Sequence, residues 1–96
     1  MRTLIEDSWL SRAIDDAKRK WTRADDAWET VIWVLARDPL AGVPLTESGL
    51  TRMFVFDGAR SIDMPSVRVI YEATLMAIVV RDAFFEDSKF PHIGRA

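Results

Sequence analysis

Ninety-six residues fit one domain, because two cores of half that size would each bury too little apolar surface to offset chain entropy. There is no cysteine, which excludes disulfides, thiolate zinc sites, iron–sulfur ligation and thiol nucleophiles, and a single histidine removes most remaining metal and triad chemistry. Thirteen Lys and Arg against fifteen Asp and Glu give a net charge of −2, so no global field draws the chain towards phosphate polymers.

An apolar fraction of 49%, with four Trp and five Phe, argues for a packed core, while 29% charged residues supply a soluble surface. The longest uninterrupted apolar runs, residues 31–36 and 75–80, are far short of the ~20 needed to cross a bilayer. Arg2 is followed by Glu6, Asp7 and Arg12 rather than by an apolar stretch, unlike a secretory leader. A cytoplasmic protein with no membrane contact and no cofactor is expected.

Taken in chain order, Ile5, Trp9, Ala13, Ala17 and Trp21 recur every four residues, with Leu10 and Ile14 beside them, which predicts a helix at about residues 4–20. Thr3 and Glu6 have the capping-box spacing at its start. A second stripe, Ala24, Ala27, Trp28, Val31, Val34 and Leu35, follows Thr22, whose hydroxyl is expected to cap it. The alternative, one helix of about 34 residues and roughly 51 Å, is too long for so small a domain, so a hairpin is predicted.

The second helix should stop at Asp38-Pro39, since the residue before proline leaves the α region. Ile32, Trp33 and Ala36 lie off its main stripe and predict a helix apolar on more than one side, covered by both its partner helix and the sheet, or alternatively by an oligomer contact. Pro39, Gly42, Pro44 and Gly49 then mark a loop.

Beyond it the period changes to two, with strands at residues 50–57 and 67–73. Residues 75–85 are apolar apart from Arg81 and Asp82, as in an interior strand covered on both faces. The fold class is therefore α+β, an N-terminal helical hairpin packed on an antiparallel β-meander of three to four strands. One domain over residues 1–90 and a flexible tail at 91–96 complete the expectation.

Arg52, Arg60, Arg68 and Arg81 all fall in the meander or its loop, where a sheet face could gather their planar forks for phosphate recognition. Cross-strand pairs with Asp57, Asp63, Glu72 and Asp82 are the weightier reading. Asp82, Glu86 and Asp87 have no glycine-centred calcium loop, so they read as a solvated strand end and no metal site is expected. His92, near the terminus without a partner, is expected to be exposed, and no phosphate loop or serine elbow exists.

Val31-Ile32-Trp33-Val34-Leu35-Ala36-Arg37-Asp38-Pro39, then Gly42, a strand with Arg52, and Val67-Arg68-Val69-Ile70-Tyr71-Glu72 together resemble the RelE/ParE superfamily of bacterial toxins, over about residues 28–85. The resemblance implies a helical hairpin on a twisted antiparallel sheet, and an antitoxin partner. It also implies either ribosome-associated mRNA cleavage or inhibition of DNA gyrase. By the same resemblance Arg68 and Tyr71 would be catalytic in a ribonuclease, and Arg52 is a weaker match to a basic strand position; such an enzyme would set Arg52 or Arg81 on phosphate and use His92 or Tyr71 for proton transfer. The departure comes after the last strand, where Phe84, Phe85, Glu86 and Asp87 stand in place of Arg, His or Tyr. Carboxylates there would repel an RNA backbone, so RNA cleavage is disfavoured. Action through protein contacts, with an antitoxin or cellular target and as a homodimer, is the expectation that follows; the alternatives are a ribosome-dependent mRNA endonuclease of the same fold and a self-associating domain with no toxin role.

Overall fold

Residues 3–92 are described by a computed structural model. The chain runs through strand β1 (Thr3–Ile5), helices α1 (Ser8–Lys20) and α2 (Ala24–Arg37), then strands β2 (Val43–Pro44), β3 (Thr51–Phe56), β4 (Ser66–Ala73) and β5 (Ala77–Glu86). The class is α+β. The strands form one sheet in the order β1-β5-β4-β3-β2, antiparallel except where β1 runs parallel to β5. The expected hairpin and meander are present, but among the described residues the sheet is mixed and has five strands rather than three or four.

The added strand corrects the reading of the N-terminal segment. Thr3, Leu4 and Ile5 pair with Ala77, Ile78 and Val79, so their backbone groups bond to β5 and cannot belong to a helix. Helix α1 begins at Ser8 rather than near residue 4, and the Thr3–Glu6 capping box does not form; Asp7 holds the N-cap position. Glu6 instead accepts a hydrogen bond from the Trp28 indole at 3.3 Å. Leu4 packs against the core, which extended backbone lets it do beside Ile78.

The break between the helices falls where expected, but Thr22 does not cap α2. Arg23 stands at the N-cap, and the Thr22 amide and hydroxyl both donate to the Asp63 carboxylate, at 2.7 and 2.8 Å. The Arg23 amide donates to the Asp63 carbonyl. Asp63 adopts a left-handed conformation, φ 52°, which aspartate tolerates better than most residues. The two bonds from Thr22 hold its carboxyl below the usual carboxylate value. One aspartate from the β3–β4 connection thus fixes the turn of the hairpin.

Helix α2 ends before Pro39 as predicted, with the Asp38 amide donating to Val34. Both helices lie on one face of the sheet. Leu10, Ala27, Trp28, Val31 and Leu35 meet Val67, Val69, Tyr71, Ile78 and Val80 in a single core. Of the tryptophans read as core, Trp28 is buried, Trp9 and Trp21 are half-buried, and the Trp21 indole donates to Asp87. Ser88 is buried and donates to the Asp57 and Phe90 carbonyls, and the Arg60 and Ser61 amides donate to Phe90 and Pro91. His92 is exposed; residues 93–96 of the expected tail lie outside the described residues.

A bulge sets which side chains of β5 face the helices. Ile70 pairs with Asp82 but Tyr71 pairs with Val80, so Arg81 is the extra residue. Strict alternation from Phe85 and Ala83 would bring Arg81 to the core face, since side chains alternate sides. The bulge hands that place to Val80 and leaves Arg81 outside, paired with Glu72. Strand β5 is interior in the sheet, as expected, yet only one of its faces is covered: Arg81 is exposed and Phe84 is 44% exposed.

Deletions separate these roles. Removing Arg81 keeps Val80 opposite Tyr71 and Asp82 opposite Ile70, and should cost no more than an exposed ion pair, about 0–1 kcal/mol in urea unfolding. Removing Val80 instead presents Arg81 to the core opposite Tyr71, and should cost about 3 kcal/mol or more. Equal losses in the two variants would contradict the assignment of the bulge.

Candidate functional site

The residues singled out by sequence divide between two sides of the sheet. Ladder partners share a face, so Arg52, opposite Tyr71, lies on the helix side with Phe54 and Phe56. Arg68, opposite Val55 and Phe84, lies on the other side with Ile70 and Glu72. Arg81 joins that second side through its contact with Glu72. Arg68 and Arg81 therefore share a face and Arg52 does not.

Tyr71 and Arg52 act on the loop after α2. The Tyr71 ring is fully buried, its hydroxyl donates to the Pro39 carbonyl at 2.7 Å, and it accepts from the Gly42 amide at 3.0 Å. Burial raises the phenol above its ordinary value, against smaller opposing effects of the Gly42 bond and the Arg52 charge, with Asp38 adding to the rise. Arg52 donates to the Gly49 and Gly42 carbonyls at 2.8 and 2.9 Å and to Leu40 at 3.4 Å. Gly42 must be glycine, because a Cβ would stand 2.8 Å from the Tyr71 oxygen and 2.7 Å from the Met53 carbonyl oxygen. These groups tie the loop to the sheet.

The face away from the helices is open and mixed in chemistry. Among its apolar side chains Val43, Val55, Phe84 and Ile5 are 64%, 48%, 44% and 42% exposed, and Met53, Ile70 and Val79 are half-buried. Leu75 and Met76, in the β4–β5 turn, are exposed. Its charged side chains include Arg68 and Arg81 against Glu72, Asp82 and Glu86.

Each arginine is engaged by a carboxylate. Arg68 lies 3.1 Å from Glu86, both about half exposed, and Arg81 donates to Glu72. The acidic end of β5 thus falls on the residue that the ribonuclease reading makes catalytic. A depression of about 240 Å³ beside this pair is lined by Val55, Ser66, Arg68, Glu86, Lys89 and Phe90, among others. Exposed pairs of this kind hold little energy, roughly 0–1 kcal/mol, so they orient side chains more than they stabilise the fold. Chemically, the face can bury apolar side chains of a second surface and match charges of either sign at its rim.

Sequence reasoning found Arg68 and Arg81 but missed Val55, Phe84 and Glu86 as members of the same face. The signal was period two in β3 and β4, which groups Val55 with Met53 and Arg68 with Ile70. Phe84 could not be placed without knowing that α1 and α2 cover one side only.

Tyr71→Phe should lower stability by about 1–3 kcal/mol, because the Gly42 amide and Pro39 carbonyl lose their partner inside the protein. A group whose folded pKa is raised contributes stability that is full below its unfolded value, 10.0, and is lost as pH rises through the folded value. Urea unfolding should therefore show wild-type stability declining above pH 10 and a smaller decline in Tyr71→Phe. No family model matches the chain, and neither do any curated protein or solved structure.

Proposed function

We propose that the chain is a RelE/ParE-like toxin-superfamily protein that works by protein–protein contact, with an antitoxin or a cellular target seated on the open face of its sheet. The observation that carries this reading is the face itself: exposed Ile5, Val43, Val55 and Phe84 lie among arginines already paired with carboxylates. Apolar side chains on a fixed sheet surface gain from burial against another protein, at about 25 cal/mol per Å² before the costs of association. Phosphate binding would have to displace Glu86 and Glu72 first. A helical hairpin on a mostly antiparallel sheet is also what the family resemblance implies.

A ribonuclease of the same fold is a second reading, favoured by one observation, that Arg68 and Arg81 share the open face. In it both arginines would hold the scissile phosphate once their carboxylates swing away. The Tyr71 hydroxyl, buried between Pro39 and Gly42, supports a structural role in either reading. Arg68→Ala separates the two: it removes transcript cleavage in the second reading and leaves partner binding nearly intact in the first.

Expression in a bacterial host should slow growth, and co-expression of a cognate antitoxin should restore it. Phe84→Glu and Val55→Asp, at exposed positions, should abolish the growth effect and the co-purification of the antitoxin while moving Tm by less than about 3 °C. Normal growth on expression of the intact chain, with no neighbouring gene product co-purifying, would remove the reading.

A further inference from the structure

The outer side of α2 carries a feature that the sheet face does not explain. Trp33 is 58% exposed, on the side away from the core, and the Arg37 guanidinium stacks on its ring 4.1 Å from the centroid. Arg37 also donates to the Trp33 carbonyl at 3.3 Å, so the two side chains form one shelf. Next to it, Asp26, Glu29, Thr30 and Trp33 line a groove of about 340 Å³. A large exposed aromatic side chain beside a groove with carboxylates at its far end is a surface prepared for a partner.

Asp26, Thr30, Trp33 and Arg37 fall at i, i+4, i+7 and i+11, one stripe along the helix. The stripe is its own complement when reversed. About the point between Val31 and Ile32, Asp26 mirrors Arg37 and Thr30 mirrors Trp33. Two such helices packed antiparallel across a two-fold axis would set each Arg37 beside the other copy's Asp26, and each Trp33 against the other's Thr30. Glu29, one turn along from Asp26, widens the acidic target. Asp26 already faces Arg23 of its own chain at 3.4 Å in a half-exposed pair, worth roughly 0–1 kcal/mol, which the other copy's Arg37 would replace or share; opposite charges then meet at both ends of the stripe, and the aromatic shelf fills the groove.

We infer that this chain forms a two-fold homodimer through the outer stripe of α2, with Trp33 as its central contact and Asp26–Arg37 pairs at its two ends. The inference stands apart from the sheet-face reading, because α2 lies on the opposite side of the sheet. The helix is 14 residues, about 21 Å. Its contact falls below the standard interface of about 1,600 Å², so the dimer should be weak, with Kd of roughly 10–100 µM. Each protomer would keep its open sheet face free.

Sedimentation equilibrium up to ~1 mM protein tests this with charge reversals. The wild type should dimerise in a concentration-dependent way. Asp26→Arg and Arg37→Glu should each weaken self-association about tenfold, since each places like charges together at both ends. An equimolar mixture of the two variants should associate again. In the mixed dimer the introduced arginine of one copy faces the introduced glutamate of the other, and the native Arg37 of the first faces the native Asp26 of the second. Only folded variants can show this rescue. Trp33→Ala should be monomeric throughout. A wild type that stays monomeric at ~1 mM, self-association that survives all three substitutions, or a mixture that fails to recover would each overturn the inference.

Discussion

Two helices of 13 and 14 residues can cover only one face of a five-stranded sheet, and most of the molecule follows from that constraint. The covered face collects Val67, Val69, Tyr71, Ile78 and Val80 against Leu10, Trp28, Val31 and Leu35. The other face keeps a substantial apolar content because core residues along each strand must alternate with something, and here they alternate with Val55, Ile70 and Phe84 as well as with charges. Burial on one side thus stabilises the sheet that presents the other side.

The charges show how narrowly the two sides are kept apart. A single bulge at Arg81 decides whether β5 offers valine or arginine to the core. Arg52, on the helix side, bonds to the carbonyls of Leu40, Gly42 and Gly49, where the loop turns past the edge of the core. Arg68 and Arg81, on the open side, take carboxylates instead. Arginine therefore plays two roles in one sheet, and register alone assigns them.

Much of this architecture is legible in the sequence. Proline after Asp38 stops α2, the change of period marks β3 and β4, and the need for a compact domain breaks the helical region near Thr22. Strand β1 is not legible, because its three residues place Ile5 four positions before Trp9 and so extend an apparent helical stripe; only pairing with β5 reveals it. Thr22 has the composition of a cap, yet Asp63, 41 residues away, claims its hydroxyl. The role of Tyr71 is hidden for the same reason: Pro39 and Gly42 are its partners only after the chain has folded back. Pattern identifies local structure, whereas long-range pairing decides which polar groups are already used.

The proposed preference for a protein partner rests on a surface that combines exposed apolar side chains with internally paired arginines, since phosphate affinity depends on cations that are free to neutralise it. The proposed contact on the sheet and the inferred one on α2 occupy opposite sides, so a dimer would display two sheet faces outward. Both rest on the sheet being covered once and open once. Methyl NMR with a soluble paramagnetic agent tests that directly: Val43, Val55, Ile5 and Val79 should broaden strongly, while Val67, Val69 and Ile78 stay sharp. Equal protection of the two sets in the dilute protein would contradict the account.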